Sequence, residues 1–115
     1  MTASDCIFCK IARGDIPSKK LYEDDELVAF DDINPGAPVH FLVLPKKHIP
    51  SLDDIREEEA EILAKMMTVA IKLARQKGVD KTGYREVINC REGAGQEIMH
   101  LHMHILGGRA MGPMG

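Results

Sequence analysis

Met99-His100-Leu101-His102-Met103-His104-Ile105-Leu106 is the stretch on which the reading of this chain turns. Three imidazoles alternate with apolar side chains. A β-strand sends successive side chains to opposite faces, so a strand over Met99 to Leu106 puts His100, His102 and His104 on one face and Leu101, Met103 and Ile105 on the other. Histidine is an uncommon choice for a merely wetted surface, so the imidazole row is read as chemical, able to hold an anion, a metal or both. Residues two apart on a strand lie roughly 6.6 Å apart, which separates the outer two Cα atoms by about 13 Å. One ion is not expected to collect all three, and divided roles follow. The residues alone leave two readings open: a catalytic metal held by a histidine pair, or a nucleophilic middle imidazole whose neighbours support a phosphate.

Upstream of this strand, Arg91-Glu92-Gly93-Ala94-Gly95-Gln96 is a loop rich in free backbone N–H groups, and Asn89 and Gln96 add neutral donors suited to phosphate oxygens. Another strand is predicted over Tyr84 to Cys90. A long helix is predicted from about Asp53 to Lys77, capped by Asp53 or Asp54 and stopped by Gly78. Along it Ile55, Ile62, Leu63, Met66, Ala70, Leu73 and Ala74 recur at helical spacing and are assigned to the core. Earlier strands are predicted at Lys20 to Glu23, Leu27 to Asp31 and Val39 to Leu44, with a turn at Asn34-Pro35-Gly36. A short helix over Cys6 to Gly14 is assigned an Asp5 cap and a glycine stop. Sequential strands around one long helix indicate an α+β fold with an antiparallel sheet, in one domain spanning residues 1–115.

The 115 residues carry a net charge of −3 and no long basic run, which argues against affinity for DNA, RNA or an anionic membrane. No apolar stretch approaches the roughly 20 residues that cross a bilayer. The N-terminus has no basic-then-apolar pattern, so a cytoplasmic location is expected, where Cys6, Cys9 and Cys90 are thiols or metal ligands rather than disulfide partners. Cys6-x-x-Cys9 alone supplies two ligands of a tetrahedral site.

His100-Leu101-His102-Met103-His104-Ile105-Leu106 resembles the His-x-His-x-His signature of the histidine triad (HIT) family, and Gly107-Gly108-Arg109 resembles its Hint branch, the histidine triad nucleotide-binding proteins. The likeness extends through Phe30-Asp31-Asp32-Ile33, the run from His40 to Ile49, and Asn89 with Gly95-Gln96. It implies a five-stranded antiparallel sheet with one long and one short helix, continued across a homodimer. It also implies a hydrolase that cleaves purine nucleoside phosphoramidates or related nucleoside monophosphate adducts. On this resemblance His102 is the nucleophile and forms a nucleotidyl-histidine, His104 supports the transfer at the phosphate, His100 orients the site through its main chain, and His40 joins the histidine relay. Asp32 accepts the ribose hydroxyls; Ile7, Phe8, Ile11, Phe30 and Ile33 enclose the base; Asn89, Gly95 and Gln96 line the phosphate pocket. Bacterial-type relatives imply structural Zn²⁺ on Cys6, Cys9, His48 and His100, with no catalytic metal.

Two features depart from the family pattern. Glu97 stands where animal Hint proteins have a phosphate-contacting serine, so its contact is expected from the backbone N–H. The tail Ala110-Met111-Gly112-Pro113-Met114-Gly115 lacks their tryptophan. The alternatives to a phosphoramidate hydrolase are a nucleotide-binding regulator with incidental hydrolysis, a zinc protein without a catalytic histidine, and a diadenosine polyphosphate hydrolase or nucleotidyl transferase.

Overall fold

Burial of both faces explains why β2 and β3 are almost wholly apolar. In the computed structural model, which describes residues 5–115, five strands form one sheet: β1 (Lys20–Glu23), β2 (Leu27–Asp31), β3 (Val39–Pro45), β4 (Tyr84–Val87) and β5 (Met103–Gly107). Their order is β1-β2-β3-β5-β4, and every neighbouring pair is antiparallel. The long helix α2 (Ala60–Gln76) covers one face, where Met66, Ala70 and Leu73 pack on Leu27, Phe41, Val43, Leu101, Met103 and Ile105. The short helix α1 (Ile7–Arg13) covers part of the other, where Phe8, Ile11 and Ala12 meet Val28, Phe30, Leu42 and Leu44. A sheet covered on both sides needs continuous apolar runs rather than alternation. The fold is α+β, with the five-stranded antiparallel sheet and two main helices expected. Among the described residues no helix is long and apolar enough to cross a membrane.

Several boundaries differ from the sequence expectation, each for a local reason. The long helix starts at Ala60, not Asp53, because Ile55 adopts an extended conformation (φ −71°, ψ 141°) that stops the ladder; Leu52–Asp54 and Glu57–Glu59 are isolated 3₁₀ turns. The Ser51 hydroxyl donates to Asp54 Oδ2 at 2.5 Å, and the Arg56 N–H donates to Glu59 Oε1 at 3.0 Å, so Asp54 and Glu59 serve the two short turns, and neither Asp53 nor Asp54 caps the long helix. The α1 cap is Cys6 rather than Asp5: its Sγ accepts the Cys9 N–H at 3.4 Å. Strand β4 ends at Val87 rather than Cys90.

The last strand begins at Met103, not Met99. The segment before it bonds elsewhere, with the Leu101 N–H on the Ile49 carbonyl at 2.7 Å and the His100 N–H on the Ile98 carbonyl at 2.8 Å. Even so, Leu101, Met103 and Ile105 pack toward α2, and the three imidazoles lie on the α1 side. After β5, Gly108 has φ 92°, and a Cβ there would lie 2.9 Å from the Pro38 Cβ. Only glycine takes that bend without strain, and it turns the C-terminal tail back along the sheet edge.

Candidate active site

The α1 side of the sheet holds a pocket of about 920 Å³. Ile7, Phe8 and Ile11 recur on one face of α1 and, with Phe30 from β2, form its apolar wall. Phe8 sits edge-on to Phe30 at 5.8 Å and to His102 at 5.0 Å, so helix and imidazole are packed against one another. Asp32 and the exposed Ile33 close one end, and Asn89, Gly95 and Glu97 the other, with His102 and His104 at the floor.

Hydrogen bonds fix the protons on the floor. Nδ1 of His102 is 2.7 Å from the main-chain oxygen of His100, which can only accept, so Nδ1 carries the hydrogen and Nε2 keeps its lone pair. Burial lowers the His102 pKa from its ordinary value, partly offset by a hydrogen bond to His100 and the charge of Asp32; the ring is neutral near pH 7. The Gly36 N–H donates to Nδ1 of His40 at 2.9 Å, so His40 carries its proton on Nε2. That nitrogen lies 2.9 Å from Nδ1 of His104, which must accept. His104 therefore holds its own proton on Nε2. Burial first, then its histidine neighbours, push the His104 pKa down to about 4, so it donates a hydrogen bond as a neutral ring. Asp32 has two attachments: Oδ1 accepts the Asn34 N–H at 2.9 Å, and Oδ2 lies 3.4 Å from His40 Nε2. It is a turn residue and a pocket residue at once.

A neutral imidazole lone pair beside a second imidazole's N–H and a loop of backbone donors can attack an electrophilic phosphorus and hold its oxygens. Gln96 departs from expectation. Its side chain is buried under the loop, where Oε1 accepts the Arg91 N–H at 2.6 Å and Nε2 donates to the carbonyls of Pro50 at 2.8 Å and Ile98 at 2.9 Å. All its strong bonding positions point into the loop, so it braces Gly95 and Glu97 rather than lining the pocket. The sequence reading also missed Ile16, Pro17, Ser18 and Lys19, which line the pocket from the segment after α1. Nothing in their composition marks them; only the docking of α1 brings them there.

The family model described as "Scavenger mRNA decapping enzyme C-term binding" matches residues 5–114. The purine nucleoside phosphoramidase of Escherichia coli strain K12 is 47% identical over 112 residues, covering 97% of this chain and 94% of that one. A solved histidine triad protein from Clostridium difficile superposes with a TM-score of 0.94 at 51% identity and full coverage of both chains. A HIT family hydrolase from Legionella pneumophila gives 0.92 at 47% identity, covering 94% of this chain and 96% of that one. The chain belongs to the histidine triad family.

In this HIT protein the first motif histidine, His100, faces a second cluster. Its Nδ1 lies 3.3 Å from Sγ of Cys6 and 3.5 Å from Sγ of Cys9, and Cys9 Sγ lies 3.3 Å from Nδ1 of His48. The four donor atoms fall within 4.8 Å of one another. Zinc bonds of about 2.3 Å to sulfur and 2.0–2.1 Å to nitrogen give tetrahedral S···N edges of about 3.6 Å, close to these spacings. Nε2 of His100 lies 2.7 Å from the Pro45 carbonyl, which must be its acceptor, leaving Nδ1 unprotonated and aimed at the sulfurs. Burial and the adjacent Cys6 push the Cys9 thiol up to about 11, and burial pushes His100 down to about 4. A metal held here would bind Cys9 as the thiolate, which its burial otherwise disfavours. The donor set fits Zn²⁺.

Proposed function

We propose that this HIT protein is a purine nucleoside phosphoramidase of the Hint branch, acting through a covalent nucleotidyl-His102. The bond from His102 Nδ1 to the His100 carbonyl, which leaves Nε2 unprotonated at the floor of the pocket, carries the reading. The 47% identity to a protein named purine nucleoside phosphoramidase supports it. The purine lies between Ile7, Phe8, Ile11, Phe30 and Ile33, and the ribose hydroxyls bond to Asp32. His102 Nε2 attacks the phosphorus, and the phosphorus–nitrogen bond breaks with its electron pair going to the nitrogen, which takes a proton from solvent and leaves as the amine. His104 Nε2–H and the backbone donors near Gly95 and Glu97 hold the phosphate oxygens, with Asn89 beside them. Water then cleaves the nucleotidyl-histidine and restores the imidazole. The step uses no catalytic metal.

The same reading includes structural Zn²⁺ on Cys6, Cys9, His48 and His100, which would tie α1 to the start of the histidine segment. It takes residues 1–115 as one cytoplasmic domain that pairs into a homodimer. Support for pairing comes from β4, an outer strand whose free edge a second strand can extend.

Hydrolysis of a fluorogenic adenosine phosphoramidate by wild type and His102→Ala, with and without Mg²⁺, tests the chemistry. Mg²⁺-independent turnover in wild type that vanishes in the variant is expected. Equal rates would remove His102 from the mechanism; nucleotide binding without turnover in either would turn the reading to a binding protein.

A further inference from the structure

Among the described residues Arg91 is the one residue other than glycine with a positive φ, at φ 69° and ψ 176°. That combination crowds a Cβ and is close to exclusive to glycine. An arginine persists there only where its surroundings hold it. Three groups do so. The Arg91 N–H donates to Oε1 of the buried Gln96 at 2.6 Å. Its carbonyl accepts the N–H groups of Ala94 and Gln96, both at 3.1 Å. Its guanidinium reaches the 3₁₀ turn Leu52–Asp54, with Nη1 3.2 Å from Asp53 Oδ2 and Nη2 3.2 Å from Asp54 Oδ1.

Gln96 holds the other end of the loop, with Nε2 on the carbonyls of Pro50 at 2.8 Å and Ile98 at 2.9 Å. The loop is thereby fastened at both ends to residues 50–54, a segment anchored by the buried Ser51. The N–H groups of Ala94, Gly95 and Gln96 are spent inside the loop, that of Gly95 on the Glu92 carbonyl at 2.9 Å. Those of Glu97 and Ile98 have no hydrogen-bond partner among the described residues, and both residues line the nucleotide pocket.

We infer that Arg91 and Gln96 are positioning residues: together they hold the Glu97 and Ile98 N–H groups where negative charge grows on the phosphate during attack by His102. The inference rests on the phosphoramidase reading. Neither the Arg91 nor the Gln96 side chain lines the pocket, so each acts through the backbone it holds. Donors placed for the transition state lower the barrier without tightening ground-state binding, so a slack loop lowers kcat and spares KM. At Arg91, backbone ease and donor placement pull in opposite directions. An unstrained residue there keeps the fold stable but unfastens the loop from Asp53 and Asp54. In a plain structural role, stability and rate would fall together.

The experiment measures kcat, KM and Tm for wild type, Gln96→Met, Arg91→Gly and Arg91→Lys with the fluorogenic adenosine phosphoramidate. Gln96→Met nearly keeps the volume and removes all three side-chain bonds. Deleting a donor of this kind lowers kcat about 10²–10³-fold; displacing one should lower it about tenfold, with KM within about threefold of wild type. Arg91→Gly should lower kcat about fivefold while Tm stays level or rises, since glycine takes this backbone freely and two exposed ion pairs add little. Arg91→Lys keeps the strain and one charge, so it should retain more kcat than Arg91→Gly at a lower Tm. Arg91→Gly decides by itself where Gln96→Met fails to fold. Wild-type kcat in either variant, or a rate loss matched by a rise in KM or by a fall in the Tm of Arg91→Gly, would overturn the inference and leave the phosphoramidase reading standing. Calorimetry compares AMP with adenosine plus vanadate, whose five-coordinate vanadium resembles the transition state. Loss of the vanadate complex alone in both variants, with no turnover by wild type, would sink the phosphoramidase reading and keep the positioning role.

Discussion

Phe8→Ala should loosen the short helix and the nucleotide pocket together. Phe8 is 5% exposed and meets Phe30, His100 and His102 at ring distances of 5.8, 5.9 and 5.0 Å. Truncating a buried Phe costs about 3–5 kcal/mol, which includes the cavity it leaves. Helix α1 has seven residues, too few to persist in water by itself, so its order comes from this docking and from the cysteine tether. For a chain of this size a loss of about 3–5 kcal/mol lowers Tm by roughly 12–20 °C. Thermal unfolding is measured in chelator, where no cation holds Cys6 and Cys9, alongside AMP affinity by calorimetry. AMP binding should weaken at least tenfold. Limited proteolysis should cut the α1 segment of the variant in chelator but not with Zn²⁺ added. A Tm fall under about 4 °C in chelator, or unchanged AMP affinity, would refute the idea that Phe8 docks the helix and walls the pocket.

Three further outcomes are expected. Activity should persist into acid: the pKa of His102 is lowered by burial, so its neutral form survives below the ordinary 6.5 and is lost only as pH falls through the lowered value; an acid limb of kcat at or above pH 6.5 would contradict this. His40→Phe deletes the donor that sets the His104 tautomer, and kcat should drop about tenfold or more while AMP affinity changes under threefold; the reverse split would make His40 a binding residue. Asp32→Asn keeps the acceptor for the Asn34 N–H but removes the charge, so AMP affinity should fall about tenfold with Tm nearly constant, and 2′,3′-dideoxy-AMP should bind both proteins alike.

The faces of the histidine segment could be read from its alternation, although ladder bonding begins only at Met103. Residues 98–100 form a bend, with the His100 N–H on Ile98 and the Leu101 N–H on Ile49, so the faces follow the pattern while the strand starts late. The long helix was legible from its apolar stripe; its start was not, since Asp53, Asp54 and Glu57 to Glu59 suit one helix cap and two 3₁₀ turns equally well. Gln96 reads as a phosphate donor from composition alone. Its inward turn depends on carbonyls of Pro50 and Ile98, which only the folded loop brings near. Lys19 and Ser18 reach the pocket through the angle at which the chain leaves Gly14, and no local pattern encodes that angle.

His100 acts through two separate parts: its ring meets Cys6 and Cys9, and its carbonyl oxygen accepts from Nδ1 of His102. Side-chain scanning sees only the first. Every substitution at this position keeps the oxygen, so a scan would file the residue under metal binding and miss its hold on His102. Replacing the amide between His100 and Leu101 by an ester weakens that oxygen as an acceptor with every ring intact, and it separates the two contributions once the loss of the Leu101 N–H bond to the Ile49 carbonyl is subtracted.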